Sequence, residues 1–185
     1  MLWGQGFQVD WISFGKGVWS VLYSTADASD GAAPAAGEVD PREMREQQVT
    51  EINDKDPLKA LNALLNSQWK DGRAAHQIVY GDGVWAVVTF KPHAALNQEL
   101  IKSDAFPEEQ ISARWDRGFY IRSVVFGDNL FAMLFEEGDV PQSLFMDKNF
   151  PEEEIEDLWS DCYRFFFVSF CCAAASATVL FLNVE

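Results

Sequence analysis

The residues of this chain that could do chemistry are two histidines, three cysteines and a few clusters of carboxylates. A metal site needs His or Cys at close, repeated spacing. Neither His76 nor His93 has such spacing to the other or to a cysteine. His76 falls in an apolar run that predicts a strand, and His93 stands beside Pro92, so both read as structural or solvated rings. Cys162, Cys171 and Cys172 form a poor disulfide framework, and adjacent cysteines bond to each other only with strain. The apolar setting of Cys171 and Cys172 raises a thiol pKa and disfavours a nucleophilic thiolate. Glu108–Glu109 and Glu152–Glu153–Glu154 open predicted helices, and Glu136–Glu137 follows a strand. Solvated charge is normal in those places, whereas acid–base work needs burial to split the pKa values. Asp27, Asp30 and Gly31 lack the full ligand series of a calcium loop. There is no phosphate-binding loop, dinucleotide fingerprint or nucleophile elbow. The GKG and GDG turns are followed by strands, so no helix N-terminus is there to hold a phosphate. The expectation is a chain that is not an enzyme, with no catalytic, cofactor-binding or metal residue.

What positions these side chains is an internal repeat. Trp3, Gly6 and Gly15 recur with the same spacing as Trp69, Gly72 and Gly81, and as Trp115, Gly118 and Gly127. A fourth window, Trp159, Cys162 and Cys171, keeps the spacing and replaces both glycines. An aromatic follows the second glycine in the first three windows: Trp19, Trp85 and Phe131. Each window reads as two apolar runs around a Gly-containing turn, as in VWSVLYS (18–24), VWAVVTF (84–90) and LFAMLFE (130–136), which is the hairpin signature. A third strand is predicted in each complete unit, within 45–52, 97–106 and 141–150, with Gln98 and Gln142 in equivalent places. A helix then closes the unit, over 56–69, 106–115 and 150–159. In the two short ones Pro and carboxylates occupy the first turn. Ile111 with Trp115, and Ile155 with Trp159, share one face.

The fold class expected is therefore mainly β with short helices. About four β-β-β-α units, roughly 3–68, 69–114, 115–158 and 159–185, make one repeat domain over 1–185, propeller-like or an open array of small sheets. Residues 25–42, rich in Ala, Gly, Pro and Asp, read as a mobile surface loop inserted in the first unit. With this phase the chain stops after the second strand of its fourth unit, and an open strand edge is a natural docking site.

The stretches WDRGFYIRSVVFGDNLFAMLFEEG (115–138) and FPEEEIEDLW (150–159) resemble the Trp-Gly-Tyr repeat domain of unknown function that follows the catalytic domain of plant nuclear casein-kinase-like enzymes and accompanies caspase-family proteins. VWAVVTF (84–90), Gln98, Phe106-Pro107 and Trp115 match that pattern best. The resemblance implies an accessory region without catalysis of its own, so it carries over no active-site residue. The unit plan is also similar to four-bladed propellers of the hemopexin kind, at fold level only.

The 185 residues carry 29 acidic and 14 basic side chains, a formal net charge of -15 that repels phosphate backbones, so no nucleic-acid partner is expected. The function expected is a protein–protein interaction or scaffold module, an accessory subunit of a larger assembly. Its partner, or a second copy, would dock through the open edge of the last unit, at Val179, Phe181 and Asn183. The alternative is a small-ligand or carbohydrate module using exposed aromatics. There Trp11, outside the repeat pattern, is the tryptophan of interest. A third reading takes the uncharged stretch 165–182 as a membrane helix and the protein as a C-terminally anchored accessory. The repeat instead demands a hairpin there. Free thiols fit the cytoplasm or another reducing compartment, an organelle interior included if a targeting peptide has been removed.

Overall fold

The computed structural model describes residues 7–25, 46–92, 94–147, 163–171 and 176–183, with side chains over 9–23, 46–92 and 94–142. It is mainly β, with two helices among the described residues. The strands are β1 (Phe7–Gly15), β2 (Val18–Thr25), β3 (Gln48–Ile52), β4 (Ala74–Gly81), β5 (Val84–Phe90), β6 (Gln98–Ser103), β7 (Phe119–Gly127), β8 (Leu130–Glu137), β9 (Gln142–Asp147), β10 (Tyr163–Cys171) and β11 (Ser176–Asn183). The helices are α1 (Pro57–Lys70), between β3 and β4, and α2 (Glu108–Trp115), between β6 and β7.

Local chemistry accounts for these elements. Each of the first three hairpins turns through two residues of positive φ: Lys16 and Gly17, Asp82 and Gly83, Asp128 and Asn129. That pair of conformations makes the turn whose twist matches the flanking strands. α1 starts at Asp56, whose carboxylate accepts from the Lys59 N–H at 3.1 Å, and Pro57 fills the first helical position. The Trp-x-x-Gly spacing also has a cause. Trp69 and Trp115 lie in the last helical turn, and Gly72 and Gly118 take the left-handed conformation, φ 71° and 76°, that ends the helix and redirects the chain into a strand.

The sheets correct the expected frame of the unit. The third strand does not join the hairpin before it. β3 pairs with β5, β6 with β8, and β9 with β11, all antiparallel, so the sheet orders are β3-β5-β4, β6-β8-β7 and β10-β11-β9. Each three-stranded sheet is thus continuous in sequence and begins with its outer strand, at 48–90, 98–137 and 142–183. The divisions are not those at Trp69, Trp115 and Trp159. A repeated string has no intrinsic frame. The helix decides it here, because Leu61 and Leu65 of α1 bury on Ile52 and Trp85 and so keep β3 with the hairpin that follows.

A second correction concerns the unfinished unit. β11 is the middle strand of its sheet, paired with β10 on one side and β9 on the other, so the expected open edge at Val179, Phe181 and Asn183 is absent. It is the first sheet, β1-β2, that holds only two strands among the described residues. The stretch 165–182 contributes two strands rather than a helix, and no helix among the described residues is long and apolar enough to cross a membrane. The predicted loop at 25–42, beyond Thr25, and the predicted helix 150–159 lie outside the described residues.

The sheets stack through their inner strands, β1 on β4, β4 on β7 and β7 on β10. Each inner strand carries a bulge at the same place, skipping Asp10, His76, Arg122 and Phe166 in the pairing. The residue before the bulge presents its backbone to the next outer strand. Gln98 Oε1 accepts from the Ala75 N–H at 2.8 Å and its Nε2 donates to the Ala75 carbonyl at 2.8 Å. Gln47 holds Val9 and Gln142 holds Ile121 in the same two-bond manner. The helix-ending tryptophans close the arrangement: Trp69 Nε1 donates to Gln98 at 3.0 Å and Trp115 Nε1 to Gln142 at 3.3 Å. Beyond the bulge, Gln77 makes two bonds to the Ile12 backbone and Ser123 two to that of Ile78.

Near the turns an aromatic ring of one sheet lies on a glycine of the next, Phe14 on Gly81 and Tyr80 on Gly127. A side chain at either glycine would enter the ring. At these two positions the second Gly of the sequence motif is therefore a packing requirement. With both faces of the middle sheets covered, β4, β5, β7 and β8 are buried almost throughout rather than on alternate residues.

Two stability outcomes follow. Gly81→Ala and Gly127→Ala should each destabilise by about 2–3 kcal/mol, whereas Gly15→Ala, with open space at its Cβ, should stay within about 0.5 kcal/mol of wild type. Urea unfolding midpoints measure both. Gln98→Ala should cost about 3–5 kcal/mol, because it strands the buried Ala75 backbone groups and Glu136 together.

Candidate functional site

The polar residues that a search for chemistry would start from sit in a column along the inner strands. The Arg122 guanidinium donates to His76 Nδ1 at 2.9 Å, which leaves the proton on Nε2, directed at the Asp10 carbonyl 3.3 Å away. Arg122 also reaches the Tyr120 hydroxyl, which donates to Glu136. Glu136 accepts in turn from Gln98 Nε2 at 2.7 Å. Burial and then the Arg122 charge push the His76 pKa down to about 3, so the ring is neutral near pH 7 with its acceptor nitrogen occupied. Burial, with Glu136 beside it, pushes the Tyr120 hydroxyl up. Arg122 and Glu136 are buried with the network, and its bonds run from backbone to backbone across three sheets. Such a network fixes the register of the stack. His93 lies outside the described residues, and no group of three metal-binding side chains occurs among the described residues.

A different kind of site lies at the first sheet. Among the described residues, the large apolar side chains that stay exposed are Val18, Trp19, Val21, Leu22 and Tyr23 of β2, with Val49 of β3. Strand alternation sorts those of β2 onto two faces. Trp19, Val21 and Tyr23 look toward the second sheet. Val18 and Leu22 look away from it, with Trp11 paired across from Leu22.

The inward face forms one wall of a cleft of about 300 Å³, lined by Ile12, Trp19 and Val21 on one side and by Val49, Glu51, Asp82, Val84 and Ala86 on the other. The corresponding positions of the second sheet are Trp85 and Val87. Both are 0% exposed, whereas Trp19 and Val21 are each 39% exposed. The difference is α1, whose Leu58, Leu61 and Leu65 pack with Trp85 and Val87 against Leu100, Ala132 and Leu134 of the third sheet. No described helix occupies the first cleft.

The outward face is open for a related reason. Its counterparts in the second sheet, Val84 and Val88, are half-buried and buried, because the first sheet packs over that face with Val9 and Ile12. No described sheet covers the first one, and Val18 and Leu22 are 61% and 62% exposed. Gly15, in the position of Gly81 and Gly127, has no ring on it.

The residues singled out from sequence are dispersed. Trp11 is half-buried on the outward face of β1 and does not line the cleft. Val179, Phe181 and Asn183 belong to the fourth sheet. Trp19, Val21, Val49, Glu51 and Asp82 were not legible as site residues, because Trp19 recurs in register with the core residue Trp85. The signal that could have found them is the frame of the repeat, which leaves the first hairpin without a described strand and helix ahead of it.

The domain of unknown function DUF7477 matches residues 10–174, most of the chain. The chain belongs to that family. No curated protein and no solved structure matches it. The family match spans the inner-strand column, the cleft and the first ten described strands.

The His76 environment sets a pH dependence. Its folded pKa lies below the usual 6.5, so the unfolded chain binds the proton first as pH falls. Stability from this ring is complete above pH 6.5 and is lost as pH drops from 6.5 toward 3, at a slope approaching about 1.4 kcal/mol per pH unit. Chemical denaturation of wild type and His76→Gln between pH 7 and 4 should show the wild-type curve falling more steeply.

Proposed function

We propose that this chain is a non-enzymatic protein–protein interaction module, an accessory subunit whose propeller-like stack of β units presents its first sheet to a partner. The observation that carries the reading is the outward face of that sheet. Leu22 stands exposed where its equivalent Val88 is buried, and Val18 where its equivalent Val84 is half-buried. Leu22 with Trp11 paired across from it, and Val18 beyond Ser20 on the same face, offer a partner large apolar side chains. The neutral His76, with both ring nitrogens bonded within the stack, supports a structural role for the polar column. The likeness to Trp-Gly-Tyr accessory repeats favours the same class.

Affinity capture from the source cell's extract tests this, with wild type and the double variant Val18→Asp/Leu22→Asp as baits. A defined partner retained by wild type and lost from the folded double variant is expected. A wild-type protein that captures nothing beyond what the variant captures would overturn the reading.

A second reading rests on Trp19 beside Glu51 and Asp82, an aromatic ring with two carboxylates in a cleft, which suits a sugar or another small polar ligand. Titration with neutral oligosaccharides followed by tryptophan emission would shift the spectrum of wild type and not of Trp19→Phe if that reading holds.

A further inference from the structure

The cleft between the first and second sheets repeats, residue for residue, the cleft that α1 fills between the second and third. Ile12, Trp19 and Val21 stand where Ile78, Trp85 and Val87 stand, and Val49 and Ala86 stand where Leu100 and Ala132 stand. In the second cleft these positions hold the aliphatic face of α1, Leu61 and Leu65 spaced four apart, while β3 lies along the free side of β5. β2 offers the same free side, unpaired among the described residues.

We propose that the first cleft binds an amphipathic strand–helix segment of a separate partner polypeptide. Its strand adds to the outer edge of β2, antiparallel, and its helix sets two aliphatic residues four apart between Trp19 and Val49. This rests on the interaction-module reading above and names a surface distinct from the outward face. Edge addition supplies main-chain hydrogen bonds, and the helix supplies the apolar burial that Trp19 and Val21 lack.

Charge narrows the occupant further. In the second cleft the rim carries a cation, Lys102, whose Nζ donates to the Leu58 carbonyl of α1 at 3.4 Å, and Asp128, which accepts from Tyr80 at 2.7 Å and from Trp85 at 2.8 Å. In the first cleft the same two places hold Glu51 and Asp82. The rim is therefore acidic at both, and it selects a segment with basic residues around the start of its helix. The chain's own two helices differ in this respect. The start of α1 is charge-balanced, Lys55 and Lys59 offsetting Asp54 and the capping Asp56 with no acidic residue inside the first turn, whereas α2 opens with Glu108 and Glu109.

That difference provides the probe. A fluorescein-labelled synthetic peptide of residues 47–70 is titrated with the intact protein and followed by anisotropy, beside a peptide of residues 97–115. Saturable binding of the 47–70 peptide is expected, at least about tenfold tighter than that of the 97–115 peptide. The Lys55→Glu/Lys59→Glu form of the first peptide should lose about tenfold. Val21→Asp and Val49→Asp, at exposed positions of the cleft, should each abolish binding while circular dichroism stays native. Val18→Asp/Leu22→Asp should leave it intact. Absence of saturation up to about 1 mM, or binding indifferent to Val21→Asp and Val49→Asp, overturns the proposal. If the peptide fails while the outward-face variant still loses its captured partner, the helix-in-cleft assignment falls alone. If both fail, the interaction-module reading falls with it.

Discussion

A glutamine side chain holding both backbone groups of one residue in the neighbouring sheet is the contact on which this stack depends. An inner strand has a hairpin partner on one side only, and the N–H and C=O on its other side must find partners or lose stability. Gln47, Gln98 and Gln142 supply them at Val9, Ala75 and Ile121, each immediately before a bulge. A primary amide suits this task because it carries a donor and an acceptor a fixed distance apart, as a peptide group does. Each such bond pair joins two sheets, so the amide sets the position of one sheet on the next before any apolar contact is counted.

The bulge gives that contact a second consequence. The skipped residues fall one above another along the stack, and their identity is free to differ because they take no part in strand pairing. Asp10, His76 and Arg122 occupy three of the four, so the Asp10 carbonyl and two polar side chains far apart in sequence form a single column, half-buried at His76 and buried at Arg122. A buried guanidinium of this kind needs acceptors, and the neutral imidazole and the Tyr120 hydroxyl provide them.

Much of this was legible in the sequence. The hairpins, their turns, the Trp-x-x-Gly spacing, the Ile111–Trp115 pair and the mainly β class follow from periodicity and turn chemistry. The frame of the unit was not legible, because strand, helix and hairpin follow one another twice among the described residues and the Trp and Gly spacing is the same from any starting point. Only the packing of Leu61 and Leu65 on Ile52 and Trp85 breaks that tie. From the wrong frame the open end moves from β2 to β11, and Trp19 reads as core. Trp11 stood out as irregular for a sound reason. It occupies the position from which Gln77 and Ser123 reach back to the preceding sheet, and the first sheet has no described sheet before it. The column around His76 was invisible because bulges leave little trace in hydropathy.

The ring-on-glycine contact has a direction. Phe14 gives its ring to Gly81 and Tyr80 gives its ring to Gly127, always from one sheet to the next and never in return. A contact with unlike halves does not close on itself as a symmetric pair does. The second sheet accepts a ring at Gly81 and gives one from Tyr80, whereas the equivalent position of the fourth sheet is Cys171. The residue at the glycine position therefore decides whether a further ring can be seated there, and with it how the next layer is joined.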